Sequence, residues 1–246
     1  MIRHLIISVF CALCAVAMTA QDKPTPQMVA KAKAGDFDTA WQLAEMYRDG
    51  IGTRVDLQKA MDFFAIAADP NNWDAQENAK DCYIQLLEKR GESFGWDDEA
   101  WMKFDKIYAD KGYGWALHNL GVYYEYSDKG KNLTRALDYY TRAAKKKDII
   151  AAYRLGEAYF QGLPLSGGVK DMKKAAAYYQ QVIDTKLAPE VERKDLKSVA
   201  CQRLSGLYRF GRGVPESVNK ANSLLKQAEA LGNVDAAELN RKLAGR

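Results

Sequence analysis

Four stretches of this chain, AWQLAEMYRDG, ALHNLGVYYEY, AYRLGEAYFQG and CQRLSGLYRFG, align on a leucine. Leu43, Leu120, Leu155 and Leu204 are each followed at once by a small residue (Ala44, Gly121, Gly156, Ser205) and four positions on by a tyrosine (Tyr47, Tyr124, Tyr159, Tyr208). A spacing of four sets leucine and tyrosine on one helical face, and the small residue lets a neighbouring helix come close. Glycine stands seven residues past three of the leucines, at Gly50, Gly162 and Gly211, where a left-handed residue stops a helix. Ser127 takes that place in the remaining copy.

A second column follows the first. Ala60, Ala136, Ala175 and Ala221 each come after Lys or Arg, and four residues later stand Phe64, Tyr140, Tyr179 and Leu225. Four residues before each alanine is a good helix N-cap: Asp56, Asn132, Asp171 and Ser217. Each unit therefore reads as helix A, a loop and helix B. The 77 residues between Leu43 and Leu120 leave room for one worn copy. In it Tyr83 takes the leucine place, Leu87 the tyrosine place, and Ala100 with Phe104 the second half. Self-similarity at this period marks a repeat architecture.

LGEAY and AMDFF resemble the two halves of the tetratricopeptide pattern, L-G-x-x-Y then A-x-x-x-F. The leucine-to-alanine separations of 17, 16, 20 and 17, with the G-x-G of RDGIGTRVDLQKA and RFGRGVPESVNKA, resemble the Sel-one-like variant of that repeat. The resemblance covers nearly all of the chain after its leader. It implies an all-α fold, a right-handed α-solenoid of about five stacked antiparallel helix pairs, with Asp235–Leu243 as a terminal capping helix. Between the last two units the leucine spacing widens to 49, and Pro189 in the extra residues suits the first turn of a helix that starts early.

Residues 1–20, MIRHLIISVFCALCAVAMTA, are expected to be a cleaved signal peptide, with Arg3 ahead of the apolar run Leu5–Ala17. Neither Cys11 nor Cys14 has the Leu-small-small context of lipid attachment. Residues 21–29 read as a flexible leader and 30–246 as the repeat solenoid. We expect a product exported to a periplasm or the extracellular space, of bacterial origin and not membrane-embedded. Removing the leader leaves 35 basic against 32 acidic residues, a balance that gives no reason to invoke nucleic acid. The runs Lys145–Lys147 and Lys173–Lys174 fall at a helix end and a helix start, where lysine is simply solvated. Asn132-Leu133-Thr134 is a glycosylation sequon in form, but Asn132 already serves as a cap.

Several catalytic and metal-binding chemistries find no support in these residues. GESFG (91–95) has the G-x-S-x-G form of a nucleophile elbow, which needs a strand feeding into it. Here it follows the amphipathic helix DCYIQLLEKR and reads as an interhelical loop. LSGGVK (165–170) lacks the ending of a phosphate loop and reads as a loop insertion. With His118 the only histidine after the leader, no multi-histidine metal site is expected, and no cofactor. Some secreted, cysteine-rich relatives of this repeat are associated with β-lactams, but they carry a cysteine pair in each unit. Cys82 and Cys201 lie three units apart and are expected to be packed, unbridged thiols.

What remains is a surface, and the resemblance points to its positions: two before, two after and five after each leucine. These are Trp41, Glu45 and Arg48; His118, Val122 and Glu125; Tyr153, Glu157 and Phe160; and Gln202, Gly206 and Arg209. The worn unit adds Asp81, Gln85 and Glu88, and Trp115 and Phe210 adjoin the set. The expected function is a non-enzymatic scaffold that binds a protein or peptide along the concave face of helices A. Two alternatives stay open: a module for glycan or peptidoglycan fragments, or a carboxylate-dependent envelope hydrolase.

Overall fold

The computed structural model describes residues 23–69, 72–187 and 193–244, and their elements are helices joined by short loops, with no strand among the described residues. The expected signal peptide and Pro189 lie outside the described residues. The chain divides into two compact units, one made of Met1–Ala68 with Trp73–Phe94, the other of Asp69–Asn72 with Gly95–Arg246.

The first unit holds α1 (Pro26–Lys33), α2 (Phe37–Asp49), α3 (Leu57–Ala67) and α4 (Trp73–Lys89), each packed on the next. Helix α1 begins inside the stretch read as a flexible leader. Thr25 caps it, its hydroxyl accepting the Met28 N–H at 3.1 Å, and Pro26 supplies a first-turn residue that needs no N–H partner. The second unit holds α5 (Asp98–Asp110), α6 (Gly114–Tyr126), α7 (Leu133–Lys145), α8 (Ile149–Gln161), α9 (Met172–Asp184), α10 (Lys194–Arg209), α11 (Val218–Ala230) and α12 (Val234–Ala244), again packed in succession. Helices A are α2, α4, α6, α8 and α10. Helices B are α3, α5, α7, α9 and α11. The fold is all-α, of the repeated helix-pair class.

The caps stand where the sequence places them. Asp56, Asn132, Asp171 and Ser217 each accept the backbone N–H three residues on, satisfying a donor that a helix start leaves free. Gly50 and Gly162 close α2 and α8 in the left-handed region. Helix α10 does start early, ten residues before Leu204, whereas α2, α6 and α8 start six before their leucines. The insertion in the fourth unit is a short 3-10 turn, Pro164–Ser166, followed by Gly167 and Gly168 at positive φ.

The two repeated columns meet in one contact pattern. Tyr47 stacks on Phe63, Tyr124 on Tyr139 and Tyr159 on Tyr178, each pair within 4° of parallel. The basic residue before each column alanine lies over the same tyrosine: Lys59 at 5.0 Å, Arg135 at 5.3 Å, Lys174 at 4.7 Å and, in the last pair, Lys220 over Tyr208 at 5.1 Å. The tyrosine thus joins helix A to helix B by a ring stack and a cation–π contact together. The small residue after the leucine makes room for the second ring. A Cβ at Gly121 would stand 2.6 Å from Tyr140, and one at Gly156 2.9 Å from Tyr179.

The worn pair keeps its helices and loses this pattern, since Leu87 and Glu99 replace the tyrosine and the cation. The boundary between the two compact units falls there, between Phe94 and Gly95, so α4 and α5 belong to different units. Gly91, at φ +74, ends α4, and Ser93 is exposed on the loop between two helices. GESFG is therefore a helix stop and linker. At the other end α12 covers Cys201, Leu225 and Ala228 with Ala236, the expected capping helix. Cys82 and Cys201 are free and buried, and burial pushes both thiols up to about 11, so neither is a reactive thiolate.

Candidate functional site

The candidate positions sort into three groups once burial and partners are known. In the first unit, Trp41 is half-buried and packs at right angles to Phe64, the centroids 5.4 Å apart. Arg48 lies over the same Phe64 ring at 5.5 Å and donates to both Asp49 oxygens at 2.8 Å and to Asn78 Oδ1 at 2.9 Å. Glu45 sits one turn away, 3.8 Å from Arg48. In the worn helix α4, Asp81 is exposed and its carboxyl is raised by desolvation and by Glu77.

In the second unit three expectations are corrected. Trp115 is 0% exposed and packs against Phe104, Tyr108 and Tyr113, so it is a core ring and offers nothing to a partner. Glu125 and Glu157, 5% and 7% exposed, turn inward instead of lining an open face. Each is held by a tyrosine hydroxyl from helix B of its own pair and an arginine from the next helix A. Glu125 accepts from Tyr140 Oη at 2.9 Å and from Arg154 through Nε at 3.1 Å and through Nη2. Glu157 accepts from Tyr179 Oη at 2.6 Å, from Arg203 Nε at 3.1 Å and from Gln161 Nε2. Burial and then the adjacent carboxylate push both phenols up, which keeps them neutral donors. A carboxylate paired this fully is a structural anchor, with its lone pairs already spent on the protein.

The anchoring has a consequence on the surface. Arg154, drawn to Glu125, lies over Tyr126 at 5.9 Å, and Arg203, drawn to Glu157, lies over Phe160 at 5.2 Å. Tyr126 is 61% exposed, and Phe160, Arg154 and Arg203 are partly so. Arg154 and Glu157 lie one turn apart on α8, so the two aromatic–guanidinium pairs form one strip across α6, α8 and α10. Tyr153, half-buried, lies beside it near Glu157 and Arg203, and its phenol is raised by burial and then by Glu157. His118 rests against Tyr140, centroids 5.9 Å apart, while Val122 is exposed. Farther along α10, Gln202 accepts from Asn233, Arg209 donates to Asn222 at 2.7 Å, and Phe210 is exposed beneath Arg212.

Arg154, Arg203 and Tyr126 were not among the expected positions. A signal for the two arginines exists in the sequence: an arginine directly precedes the leucine only in the units that follow a pair with tyrosine four past its column alanine. The third unit, which follows Phe104, has Asn119 there instead, and Asn119 donates to the buried Asp105 at 3.1 Å. Among the described residues no group of three His, Cys, Asp or Glu is placed to hold a metal ion.

The sequence model of the Sel1 repeat matches residues 38–71, 116–148, 149–183 and 198–233, which takes in every full pair and passes over the worn one. Among solved structures, a Sel1 repeat protein from Oxalobacter formigenes is 27% identical over 82% of this chain and 76% of its own, with a TM-score of 0.47. A protective antigen of uropathogenic Escherichia coli displaying an SLR fold is 22% identical over 87% of this chain and 50% of its own, with a TM-score of 0.37. A Sel1 repeat protein from Klebsiella pneumoniae subsp. pneumoniae is 19% identical over 90% of this chain and all of its own, also at 0.37. Sel1 repeats are helical scaffolds that generally mediate protein interactions and are generally non-enzymatic. With more than half of its residues matched by the repeat model, this chain belongs to the Sel1 repeat family.

Proposed function

We propose that this protein is an exported, non-enzymatic scaffold that binds a protein or peptide partner on the face presented by its helices A. The observation that supports the reading is the strip Tyr126, Arg154, Arg203 and Phe160. Two partly exposed rings each lie beneath a guanidinium whose position is fixed by a buried carboxylate. Aromatic and arginine side chains carry most of the binding energy at protein interfaces, and fixing them beforehand lowers the entropy lost on association. Export is supported by the apolar run Leu5–Ala17 in the sequence, and no described helix is long and apolar enough to cross a membrane.

The test is a pull-down from a native envelope extract with residues 21–246, alongside a Tyr126→Ala/Tyr153→Ala variant shown by circular dichroism to remain helical. A protein held by the first and lost from the second supports the assignment and identifies the partner. Equal retention by both rejects this face as the site. Retention of glycan fragments with no protein would replace the reading with a glycan-binding one.

A further inference from the structure

One carboxyl group in the second unit is buried in a way no other described side chain matches. Helix α7 ends with Lys147 in the left-handed region (φ 67), and the Asp148 amide turns back to donate to the Ala143 carbonyl at 3.1 Å. That turn carries Asp148 inside, where it is 1% exposed. Its Oδ1 caps α8 by accepting the Ala151 N–H at 2.7 Å. Its Oδ2 is fully enclosed and has no hydrogen-bond partner among the described residues. An unpaired buried carboxylate oxygen is costly enough that the group neutralises if it can.

Its surroundings come from four places in the chain. Asp69 lies after α3, next to the start of α6, and a Cβ at Gly114 would stand 3.3 Å from its Oδ1. Lys146 touches the same glycine from the end of α7. His118 faces Asp148 from α6, and Arg193 faces it from the start of α10. The cluster therefore sits where the third helix pair meets the fourth.

We propose that Asp69 and Asp148 form a protonation-dependent joint between α6 and α8, closed when the carboxyls are uncharged and loosened when they ionise. Desolvation, and then the charge of Asp148, hold the Asp69 carboxyl up at about 6. Burial also raises Asp148, opposed first by His118 and then by the Ala151 and Ile150 amides and by Arg193. The folded protein holds these protons more tightly than the unfolded chain does. The Asp69 contribution to stability is complete below the ordinary carboxyl value of about 3.9 and is lost as pH rises through about 6, and the raised Asp148 acts in the same direction. A proton suits the site better than a metal ion, because Lys146 and Arg193 already supply positive charge and, among the described residues, no group of three His, Cys, Asp or Glu is placed to hold a metal ion.

The experiment is thermal unfolding of the full chain from pH 4.5 to pH 8, compared with Asp148→Asn and Asp69→Asn. Asparagine keeps the Oδ1 acceptor for the α8 cap and removes the charge. Asp36, Asp56 and Asp195 are lowered by their own contacts and destabilise the protein on acidification, but they cancel in the difference between variant and parent. Asp148→Asn is expected to raise the midpoint at pH 8 by about 3 °C, with the gain shrinking toward pH 5. Asp69→Asn is expected to do the same to a smaller extent. A loss of stability by Asp148→Asn at every pH, or a difference that does not vary with pH, overturns the proposal. If either variant fails to fold, carboxyl-carbon NMR of the parent decides. Titration of Asp69 and Asp148 above pH 5 upholds the joint, and titration of both near pH 4 rejects it. A rise in the parent's midpoint on adding calcium or sodium at pH 8, absent from Asp148→Asn, would replace the proton with a cation and also reject it.

Discussion

The third and fourth helix pairs and the first and fifth solve one packing problem with different chemistry. In the former, the residue four past the column alanine is Tyr140 or Tyr179, and each hydroxyl is buried against a glutamate that also holds an arginine of the next helix A. In the first pair it is Phe64, which has no hydroxyl and is covered by the Trp41 ring and the Arg48 guanidinium. In the fifth it is Leu225, and the small residue facing it is Ser205, whose hydroxyl donates to the Ala221 carbonyl at 2.8 Å. The residue after the leucine follows suit: glycine opposite each tyrosine, alanine and serine elsewhere. A single phenolic oxygen inside the repeat therefore requires a buried acid, a base from the following repeat and a missing Cβ. Pairs that meet these demands tie themselves to their successor through a buried carboxylate, whereas the first pair reaches its successor through the Arg48–Asn78 hydrogen bond at 2.9 Å.

The sharpest way to break this comparison is to remove the acid. Glu157→Ala strands the Tyr179 hydroxyl and releases Arg203, and should cost about 3 kcal/mol in urea unfolding. In a Tyr179→Phe background the same change should cost clearly less, with a coupling above about 1 kcal/mol. The matching change in the first pair, Glu45→Ala, removes a half-exposed carboxylate whose ion pair to Arg48 is 3.8 Å long, and should be close to neutral. Equal costs at Glu157 and Glu45 would mean that the buried network adds nothing to shape packing.

Glycine gives the next largest effect. Gly121→Ala forces a Cβ to 2.6 Å from the Tyr140 ring and should cost about 2 kcal/mol, read as a shift of the denaturant midpoint without a change of slope. The reverse change in the first pair, Ala44→Gly, meets no clash and should cost only about 1 kcal/mol. If Gly121→Ala becomes tolerated beside Tyr140→Leu, the ring is the obstacle. If it does not, the helices themselves approach too closely for any side chain.

Much of the fold was legible because repetition averages over local noise. A leucine or a cap that recurs four times at one offset outweighs the weak propensity of any single stretch. The helix stops at Gly50 and Gly162 and the four caps were readable because their chemistry is local, fixed within four residues. The site was less legible, because helical periodicity tells which way a side chain leaves the axis and not what has come up against it. Glu125 and Glu157 occupy positions that face outward on an isolated pair. Arg154 and Arg203 cover them only because the next helix delivers an arginine one residue ahead of its leucine. Trp115 failed for the opposite reason: it sits on the first turn of α6, where the preceding helix α5 closes over it with Phe104 and Tyr108. The anchors around GESFG read as a worn copy within one solenoid over residues 30–246, because wear alone does not mark where the chain divides into compact units.

The smallest effect separates the two layers of the tyrosine contact. Lys174 lies 4.7 Å over Tyr159 and also pairs with Asp171 at 3.6 Å, while Lys220 lies 5.1 Å over Tyr208, its N-cap being the uncharged Ser217. Replacing either lysine by methionine keeps the stem that covers the ring and removes the charge. Lys220→Met should therefore report the cation–π contact alone, about 0.5 kcal/mol, with little change on adding salt. Lys174→Met should cost slightly more in dilute buffer and converge on Lys220→Met at 1 M salt, because screening removes the exposed ion pair and leaves the ring contact. Convergence would show that the basic residue ahead of each column alanine is kept for the tyrosine. Loss of both effects at high salt would show that the ring contact contributes nothing and that only screened charge pairing favours the lysine. A cation there is unfavourable on dipole grounds, so the ring must be what compensates it.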